Sequence, residues 1–393
     1  MTIKHKHWDI FCTVIDNYGD IGVTWRLAKQ LASEHQRPIK LWVDDLNSFH
    51  HILPSLDPAA ERQEFNNIEV IHWNDKTPTS WLAGETIIEA FACELPDAVK
   101  NKLEKCGKQA PVWLNLEYLS AESWIDDIHG LPSLQNNGIN KSFFFPGFSE
   151  KSGGLICESD LFKLQNTFRS TVDVKEQFLA PFGIHYHDQQ IISVFSYESL
   201  ALETIVQSLI TSEKSTILLV PNGRSMHSIT AALAIDEKTL IVGKSYPFGS
   251  LTLVITPFTD QEGFDKLLWL SDINIIRGED SFLRAQWARK PFIWHIYPQD
   301  DQAHIDKLNA FLNRYCEHLP TELAEIQKQV NLDFNLDKFE TIIESWSSFN
   351  TNHSALLEHA HEWPKTALNG SDLAFRLVDF VENRTDKQIK SQP

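Results

Sequence analysis

Apolar runs alternate with helical repeats along the first third of the chain. Trp8 to Ile15 is a continuous apolar run with β-branched residues, and Val23, Leu27 and Leu31 then recur at helical spacing after a polar turn. Further strands are predicted at Ile39–Val43, Ile68–Trp73, Thr86–Ala92 and Val112–Leu119. Strands that are apolar on both faces and alternate with helices predict a parallel sheet covered on both sides.

The alternation is lost between Asp126 and Gly183, where Gly, Asn, Ser and Pro are frequent. We interpret this stretch as loop and a crossing between two domains. A second alternating series predicts strands at Ile191–Phe195, Thr216–Val220, Leu251–Thr256, Ile273–Ile276 and Phe292–Ile296. The far end of the chain, from Asp301 to His361, is predicted to be helical, with breaks at Pro320 and at Asn331–Asn335. Pro364 then interrupts it before a last amphipathic helix. A chain of 393 residues is long enough for two such α/β domains with a ligand cleft.

The charge balance excludes some classes of partner. With 35 basic and 53 acidic residues the formal net charge is −18, which argues against nucleic-acid binding. A local site can still bind an anionic small molecule. No run approaches the roughly 20 apolar residues of a membrane span, and no signal-peptide pattern follows the first residue, so we expect a cytoplasmic protein. The five scattered cysteines include no Cys-x-x-Cys pair, which favours reduced thiols over disulfides or structural zinc.

The turn after the first strand carries two carboxylates. Its sequence, Asp16-Asn-Tyr-Gly-Asp20-Ile-Gly22, lacks both the dinucleotide fingerprint and the P-loop lysine. Ligands of open parallel sheets bind beyond the carboxyl ends of the strands, where this turn lies. The alternative is that Asp16 and Asp20 simply cap the following helix.

A second polar turn, Arg277-Gly-Glu-Asp-Ser281, follows the strand Ile273–Ile276 and precedes a helix predicted from Phe282 to Ala288. Backbone N–H groups at such a helix start bind diphosphate, and Arg277 adds a permanent planar cation. Glu279 and Asp280 suit neutral sugar hydroxyls better than phosphate. The alternative is an acidic pair that favours the helix dipole, with Arg277 in a surface ion pair.

Two further strand ends carry aromatic residues. Phe258 with Gln261 could stack a pyrimidine and read its edge, and the alternative for Phe258 is a core position. Tyr197 is by default a core phenol. His185 and His187 lack a third ligand nearby, and no Asp-x-Asp motif stands at a strand end, so we expect no metal.

These motifs resemble a known family. The segments DNYGDIGVTWRLAKQLA and PFTDQEGFDKLLWLSDINIIRGEDSFLRAQWARKPFIWHIYPQDD are similar to the EarP arginine rhamnosyltransferases of bacterial elongation factor P. The resemblance implies a GT-B fold of two facing Rossmann-like domains with a central cleft. The expected domains are residues 1–155 on the acceptor side, a connection over 156–183 and a donor domain over 184–362, with a helix over 365–386 packed back on the first domain.

The same resemblance implies roles for individual residues. Asp16 and Asp20 would be the essential carboxylates, with Asp20 the general base. The donor-site pattern of the family is matched by Tyr197, Phe258, Gln261, Arg277, Glu279, Asp280 and Ser281. Phe258 would stack thymine beside Gln261, Arg277 and Ser281 would hold the diphosphate, and the acidic pair would bind hydroxyls.

The implied reaction moves L-rhamnose from dTDP-β-L-rhamnose to an arginine of elongation factor P with inversion and without metal or other cofactor. The implied partner is the N-terminal domain of elongation factor P, which the modification activates for rescue of ribosomes stalled at polyproline. Two alternatives stay open: a GT-B transferase that acts on a small molecule, and a regulator that binds a nucleotide sugar without turnover.

Overall fold

The computed structural model describes residues 6–15, 18–74, 81–106, 110–135, 139–299 and 302–390. The chain divides into two compact units. The first comprises Met1–Ser159 with Ala367–Pro393, and the second is Asp160–Thr366. Each unit is built on its own mostly parallel sheet, as the alternating pattern predicts.

The first sheet contains eight strands among the described residues, in the order β3-β4-β2-β1-β5-β6-β8-β7. Their bounds are β1 Trp8–Cys12, β2 Ile39–Val43, β3 Arg62–Phe65, β4 Ile68–His72, β5 Thr86–Ala90, β6 Val112–Leu116, β7 Pro132–Leu134 and β8 Asn140–Phe144. The inner strands are parallel, and β3 and β7 pair antiparallel at the two edges. Every residue of β1, β5 and β6 is buried, which explains their continuous apolar pattern.

The second sheet contains six strands among the described residues, in the order β11-β12-β10-β9-β13-β14. Their bounds are β9 Gln190–Phe195, β10 Thr216–Pro221, β11 Ser245–Phe248, β12 Leu251–Thr256, β13 Ile273–Arg277 and β14 Phe292–His295. All pairs are parallel except β11 with β12. The carboxyl ends of β12, β10, β9, β13 and β14 therefore lie side by side along one edge.

Helices cover both sheets. Their bounds are α1 Gly19–Ser33, α2 Leu46–Ile52, α3 Asp97–Glu104, α4 Ile125–Ile128, α5 Leu161–Arg169, α6 Val174–Leu179, α7 Leu200–Ile210, α8 Ser225–Leu233, α9 Gln261–Leu270, α10 Glu279–Trp287, α11 Ala303–Tyr315, α12 Thr321–Asn335, α13 Ile342–Thr351, α14 His353–Leu368 and α15 Leu373–Lys390, with 3₁₀ turns at Ala180–Phe182 and Glu237–Thr239.

The irregular stretch predicted from Asp126 to Gly183 is more ordered than its pattern indicates. It contributes β7 and β8 to the first sheet and α5 and α6 to the second unit. The connection expected over 156–183 is therefore largely helical. The two strands were missed because they are short, and β8 is buried only at alternate positions, so they lack a continuous apolar run.

The break predicted at Asn331–Asn335 is wrong, because α12 continues through it. Its amide side chains bond the open edge of β14. Asn331 Oδ1 accepts from the Trp294 N–H at 3.0 Å, and Asn335 Oδ1 accepts from the Ile296 N–H at 2.9 Å. The asparagines thus satisfy backbone groups that an edge strand would otherwise leave unpaired, which outweighs their modest helix propensity.

The helix predicted over 365–386 begins later, at Leu373. Pro364 does not end the preceding helix but lies inside α14. The neighbouring Trp363 is buried, and its indole N–H donates to Gln286 Oε1 at 2.8 Å, which holds this turn despite the backbone bond that proline removes. The positive φ angles of Asn369 and Gly370, 46° and 91°, then separate α14 from α15.

Helix α15 packs on α1 and β6 of the first unit. The N–H of Leu373 donates to the Leu155 carbonyl at 2.9 Å. The guanidinium of Arg376 donates to the Ser149 and Ser152 carbonyls at 2.8 and 3.0 Å. These bonds tie the last helix to the segment that ends the first sheet.

Candidate active site

Asp20 lies at the carboxyl edge of the first sheet, in the first turn of α1. Its side chain is buried, with 2% of the residue exposed. Oδ2 accepts from the Ile15 N–H at 2.9 Å, and Oδ1 accepts from the Tyr118 hydroxyl at 3.1 Å. Both donors lie outside α1, so these two contacts orient the carboxylate and neither of them is a helix cap. Asp16 lies outside the described residues, and its role stays a prediction.

Tyr118 is a residue of this edge that sequence reasoning missed. It follows β6 and is 98 positions from Asp20 in the sequence. Its ring stacks on Phe91, with centroids 4.6 Å apart and planes at 15°. The residue is 39% exposed. Because β1, β5 and β6 are adjacent in the sheet, their carboxyl ends bring Asp20, Phe91 and Tyr118 together.

The backbone under this aromatic pair is strained. Phe91 and Ala92 have positive φ angles of 57° and 55°. A non-glycine residue in that region costs about 1–2 kcal/mol. The strain is held by two bonds: the Phe91 N–H donates to the Leu116 carbonyl at 2.7 Å, and the Ala92 N–H donates to Asn115 Oδ1 at 3.0 Å. Strained backbone at the ligand-binding edge of a sheet is typical of functional sites.

A second carboxylate, Glu117, adjoins Tyr118. Its Oε1 accepts from the amide of Asn115. Burial raises the pKa of Glu117, and the charge of Lys141 opposes that rise. Lys141 itself lies 2.5 Å from the buried carboxylate of Glu89. The two carboxylates, Glu89 and Glu117, thus share the field of one lysine.

Cys12, at the end of β1 beneath Asp20, does not provide a nucleophile. Burial raises the pKa of its thiol well above the ordinary range, and the Asp20 carboxylate raises it further. The Thr24 hydroxyl lies 3.6 Å from its sulfur and donates to the Asp20 carbonyl at 2.7 Å. The thiol therefore stays protonated at neutral pH, as expected of a small buried hydrophobe.

In the second unit, Arg277 ends β13 at the same kind of edge. The residue is 8% exposed. Its guanidinium carbon lies 4.6 Å from the ring centroid of Phe195 and 4.7 Å from that of Tyr197. Its Nε is buried and has no hydrogen-bond partner among the described residues. A surface ion pair, the alternative considered for Arg277, is therefore wrong.

The turn after Arg277 opens the start of α10. Gly278 has φ 71° and ψ −177°, a conformation that side chains rarely adopt, and a Cβ there would meet no atom within 4 Å. The helix starts at Glu279, three residues earlier than predicted, because this glycine already turns the chain out of the strand. The helix start therefore lies beside open space at Gly278, and no side chain of the N-cap residue caps its first turn.

The acidic residues of this turn differ in their surroundings. Glu279 Oε1 accepts from Lys307 Nζ at 2.8 Å, so its orientation is fixed by α11. Asp280 is half-buried, and Ser281 is buried. Their predicted roles toward hydroxyls and phosphate stay predictions.

The aromatic residues of the edge have opposite exposures. Phe258 is 42% exposed, so the core alternative for it is wrong and the ring is accessible to a ligand. Gln261 is buried as the first residue of α9. Tyr197 is a buried phenol, as its default interpretation predicts, and its ring lies 5.2 Å from that of His295 and 5.6 Å from that of Tyr297. Phe258 and Gln261 follow β12 and Tyr197 follows β9, with β10 between them.

No group of three or more His, Cys, Asp or Glu side chains among the described residues could hold a metal ion. His185 is exposed and pairs with Glu176 at 3.0 Å. The expectation that the reaction needs no metal stays a prediction, as does the cytoplasmic location. In the described part of the chain no helix has the length and apolar character to cross a membrane.

Comparison with known proteins decides the family. The sequence model described as Elongation-Factor P (EF-P) rhamnosyltransferase EarP matches residues 8–382. The chain belongs to the EarP family. A protein-arginine rhamnosyltransferase of Shewanella oneidensis is 50% identical over 386 residues, which cover 96% of this chain and 98% of that protein. One of the same name from Pseudomonas aeruginosa is 43% identical over 375 residues, covering 95% and 98%.

Solved structures support the same assignment for this EarP family member. One described as the structural basis for EarP-mediated arginine glycosylation of translation elongation factor EF-P matches with a TM-score of 0.66 and 31% identity, over 96% of this chain and 99% of that one. A glycosyltransferase from Rickettsia africae matches with a TM-score of 0.51 at 12% identity, over 99% and 100%, and shows the fold alone. The predicted GT-B fold of two Rossmann-like units is thereby confirmed.

Proposed function

We propose that this chain transfers L-rhamnose from dTDP-β-L-rhamnose to an arginine side chain of elongation factor P, with inversion and without a metal. The relatives at 50% and 43% identity are named for the arginine rhamnosyltransferase activity, and the solved structure at 31% identity concerns arginine glycosylation of EF-P. The sheet edge of the first unit carries chemistry that fits an acceptor, and that of the second unit carries chemistry that fits a donor.

The observation that carries the proposal is the buried Arg277 guanidinium beside the open turn at Gly278. A cation with a buried, unpartnered Nε next to uncapped helix amides is a site for an anion, and the diphosphate of a nucleotide sugar fits it. The exposed ring of Phe258 offers a stacking surface for the base, with Gln261 at the start of the adjacent helix.

The acceptor side rests on Asp20. Its carboxylate is held by the Ile15 amide and the Tyr118 hydroxyl, which orient both oxygens at the sheet edge. A guanidinium has a pKa above about 12, so a carboxylate cannot deprotonate it before reaction. Asp20 would instead bind the guanidinium, orient one nitrogen, and take the proton as the new bond forms.

The proposed reaction is a single displacement at the anomeric carbon. The bond between the anomeric carbon and the diphosphate oxygen breaks, and its electron pair leaves with dTDP. The arginine nitrogen forms the new bond to the anomeric carbon from the opposite face, which converts the β-linked sugar to an α-linked product. Arg277 and the first-turn amides of α10 would stabilise the leaving charge, and the nitrogen's proton passes to Asp20.

Release of dTDP tests this proposal against its alternatives. The purified chain would be incubated with dTDP-β-L-rhamnose alone, with free arginine, or with elongation factor P. We expect dTDP release at a rate that depends on elongation factor P, and an α-anomeric signal by NMR in the product. Release that free arginine supports equally well would favour a small-molecule acceptor. Tight donor binding with no release in any mixture would favour a regulator.

A further inference from the structure

The turn after β10 lies in the middle of the donor-side edge and was not singled out by its sequence. Asn222, Gly223 and Arg224 are exposed and connect β10 to α8. In the sheet order β10 lies between β12, which Phe258 follows, and β9, which Tyr197 follows. Arg224 is the residue immediately before α8, and that helix start has no side-chain cap.

Arg224 and Arg277 converge on the same ring. The guanidinium carbon of Arg224 lies 5.7 Å from the ring centroid of Tyr197, and that of Arg277 lies 4.7 Å from it. These distances place the two cations within about 10 Å of each other, roughly one Debye length at 0.1 M salt. At that separation the two positive charges repel each other weakly, and an anion bound near both would offset the repulsion.

Among the described residues, neither Arg224 nor Arg277 pairs with a carboxylate. Other arginines of the described part do form such ion pairs. Arg284, from the same helix that follows Arg277, shows the contrast. Its Nε and Nη2 bond both oxygens of buried Asp265 at 2.9 and 2.6 Å. In a chain of net charge −18, two uncompensated guanidinium groups on one ring indicate a site for an external anion. The buried Nε of Arg277, which lacks a partner, points to the same ligand.

We propose that Arg224 is the second cation of the donor site and binds the diphosphate of a nucleoside diphosphate together with Arg277. The two residues differ in role. Arg277 is buried and held over Phe195 and Tyr197, so it is preorganised, whereas exposed Arg224 meets the phosphates from the solvent side. This inference rests on the proposed function for the identity of the nucleotide, but not for the presence of the anion site.

Calorimetric titration with dTDP tests the inference on the full chain. Arg224→Gln should weaken dTDP binding by roughly 10- to 100-fold, the range expected for loss of a charge-assisted hydrogen bond. Arg224→Lys, which keeps the charge but not the planar fork, should recover part of that loss. Arg62→Gln is the matched control, because it removes an exposed arginine from the first unit, and it should leave the affinity unchanged.

Two further readouts separate ligand binding from a structural role. The slope of log Kd against log salt should be shallower in Arg224→Gln than in the unmodified chain, since one phosphate contact is lost. The melting temperature without ligand should be unchanged, because Arg224 is exposed. A dTDP affinity within twofold of the unmodified chain, or a slope that does not change, would overturn the inference.

A wrong donor assignment can be distinguished from a wrong anion site. If the unmodified chain binds no dTDP, the donor assignment is wrong, and inorganic pyrophosphate becomes the probe. Pyrophosphate binding that Arg224→Gln weakens would still support the anion site. Absence of pyrophosphate binding by the unmodified chain would contradict the site itself.

Discussion

Replacing Asp20 by asparagine should separate chemistry from donor binding. The side chains are nearly isosteric, so the amide oxygen can still accept from the Ile15 N–H. The amide nitrogen, however, cannot accept the proton that leaves the acceptor. Loss of a general base lowers turnover by roughly 10²–10⁴-fold, which corresponds to about 3–5 kcal/mol of activation free energy.

The same change has a smaller cost in stability. Tyr118 donates to the second carboxylate oxygen at 3.1 Å, and an amide nitrogen there cannot accept that bond. The tyrosine hydroxyl can rotate and accept from the amide instead, so the free energy of unfolding should fall by about 1–3 kcal/mol at most, the range for a bond to a charged group. Circular dichroism melting curves measure this part, and initial rates at saturating donor and acceptor measure the other.

Donor affinity should not change in Asp20→Asn, because the donor residues belong to the second sheet. Asp45→Asn is the matched control. It makes the same chemical change at the end of the neighbouring strand β2, where the side chain caps α2 by accepting from the Asn47 and Ser48 amides, and asparagine caps equally well. Its rate should stay within twofold. An Asp20→Asn enzyme that keeps a tenth of its activity, or that loses donor affinity, would refute the assigned role.

Donor binding, metal dependence, pH stability and acceptor choice each give a further expected outcome. Phe258→Ala and Arg277→Ala should each weaken dTDP-rhamnose binding, by about 5- to 150-fold for the exposed stacking ring. Kd values equal to that of the unmodified chain in isothermal titration would contradict the donor site. EDTA should leave the rate unchanged, whereas loss of activity restored by Mg²⁺ would show a metal requirement. Burial lowers the pKa of His295 from 6.5 to about 4, with Asp337 opposing the shift and Arg277 adding to it. As the pH falls, the unfolded chain therefore binds this proton before the folded chain does. The free energy of unfolding should fall by about 3 kcal/mol between about pH 6.5 and about pH 4. His295→Gln should flatten that part of the melting-temperature profile, and a profile unchanged by the substitution would contradict the assignment. Finally, the folded acceptor domain should be a better substrate than a short peptide around the target arginine at equal concentration, because one guanidinium offers too little contact for selection. The advantage of the domain should shrink as salt is added. Equal initial rates for the two would show that local sequence is recognised instead.

The inner strands of both sheets could be predicted because burial on two faces leaves a continuous apolar run. Ile39–Val43 and Leu251–Thr256 were predicted with the bounds that the structure has. The strands β3, β7, β8 and β11 were not predicted, and three of them, β3, β7 and β11, lie at sheet edges. An edge strand such as Arg62–Phe65 is exposed or half-exposed along its length, so its residues carry no burial signal, and only its pairing with β4 fixes it.

Site residues could be predicted where their position after a strand marks them in the sequence. They were missed where only the fold places them next to another site residue. Asp20 and Arg277 stand in polar turns that follow apolar runs, so the carboxyl-end rule finds them. Tyr118 also follows a strand, but its importance comes from a bond to a residue 98 positions away. Arg224 lies in a short polar turn whose composition is that of an ordinary loop, and only the shared ring of Tyr197 reveals its pairing with Arg277.

The intact mass of elongation factor P, measured after incubation with this chain and dTDP-β-L-rhamnose, shows whether the proposed transfer takes place. We expect a gain of one deoxyhexose, which fragmentation locates on a single arginine and which is absent when the Asp20→Asn variant replaces the unmodified chain. An unchanged mass under conditions where dTDP is released, or a sugar attached to a residue other than arginine, would contradict it.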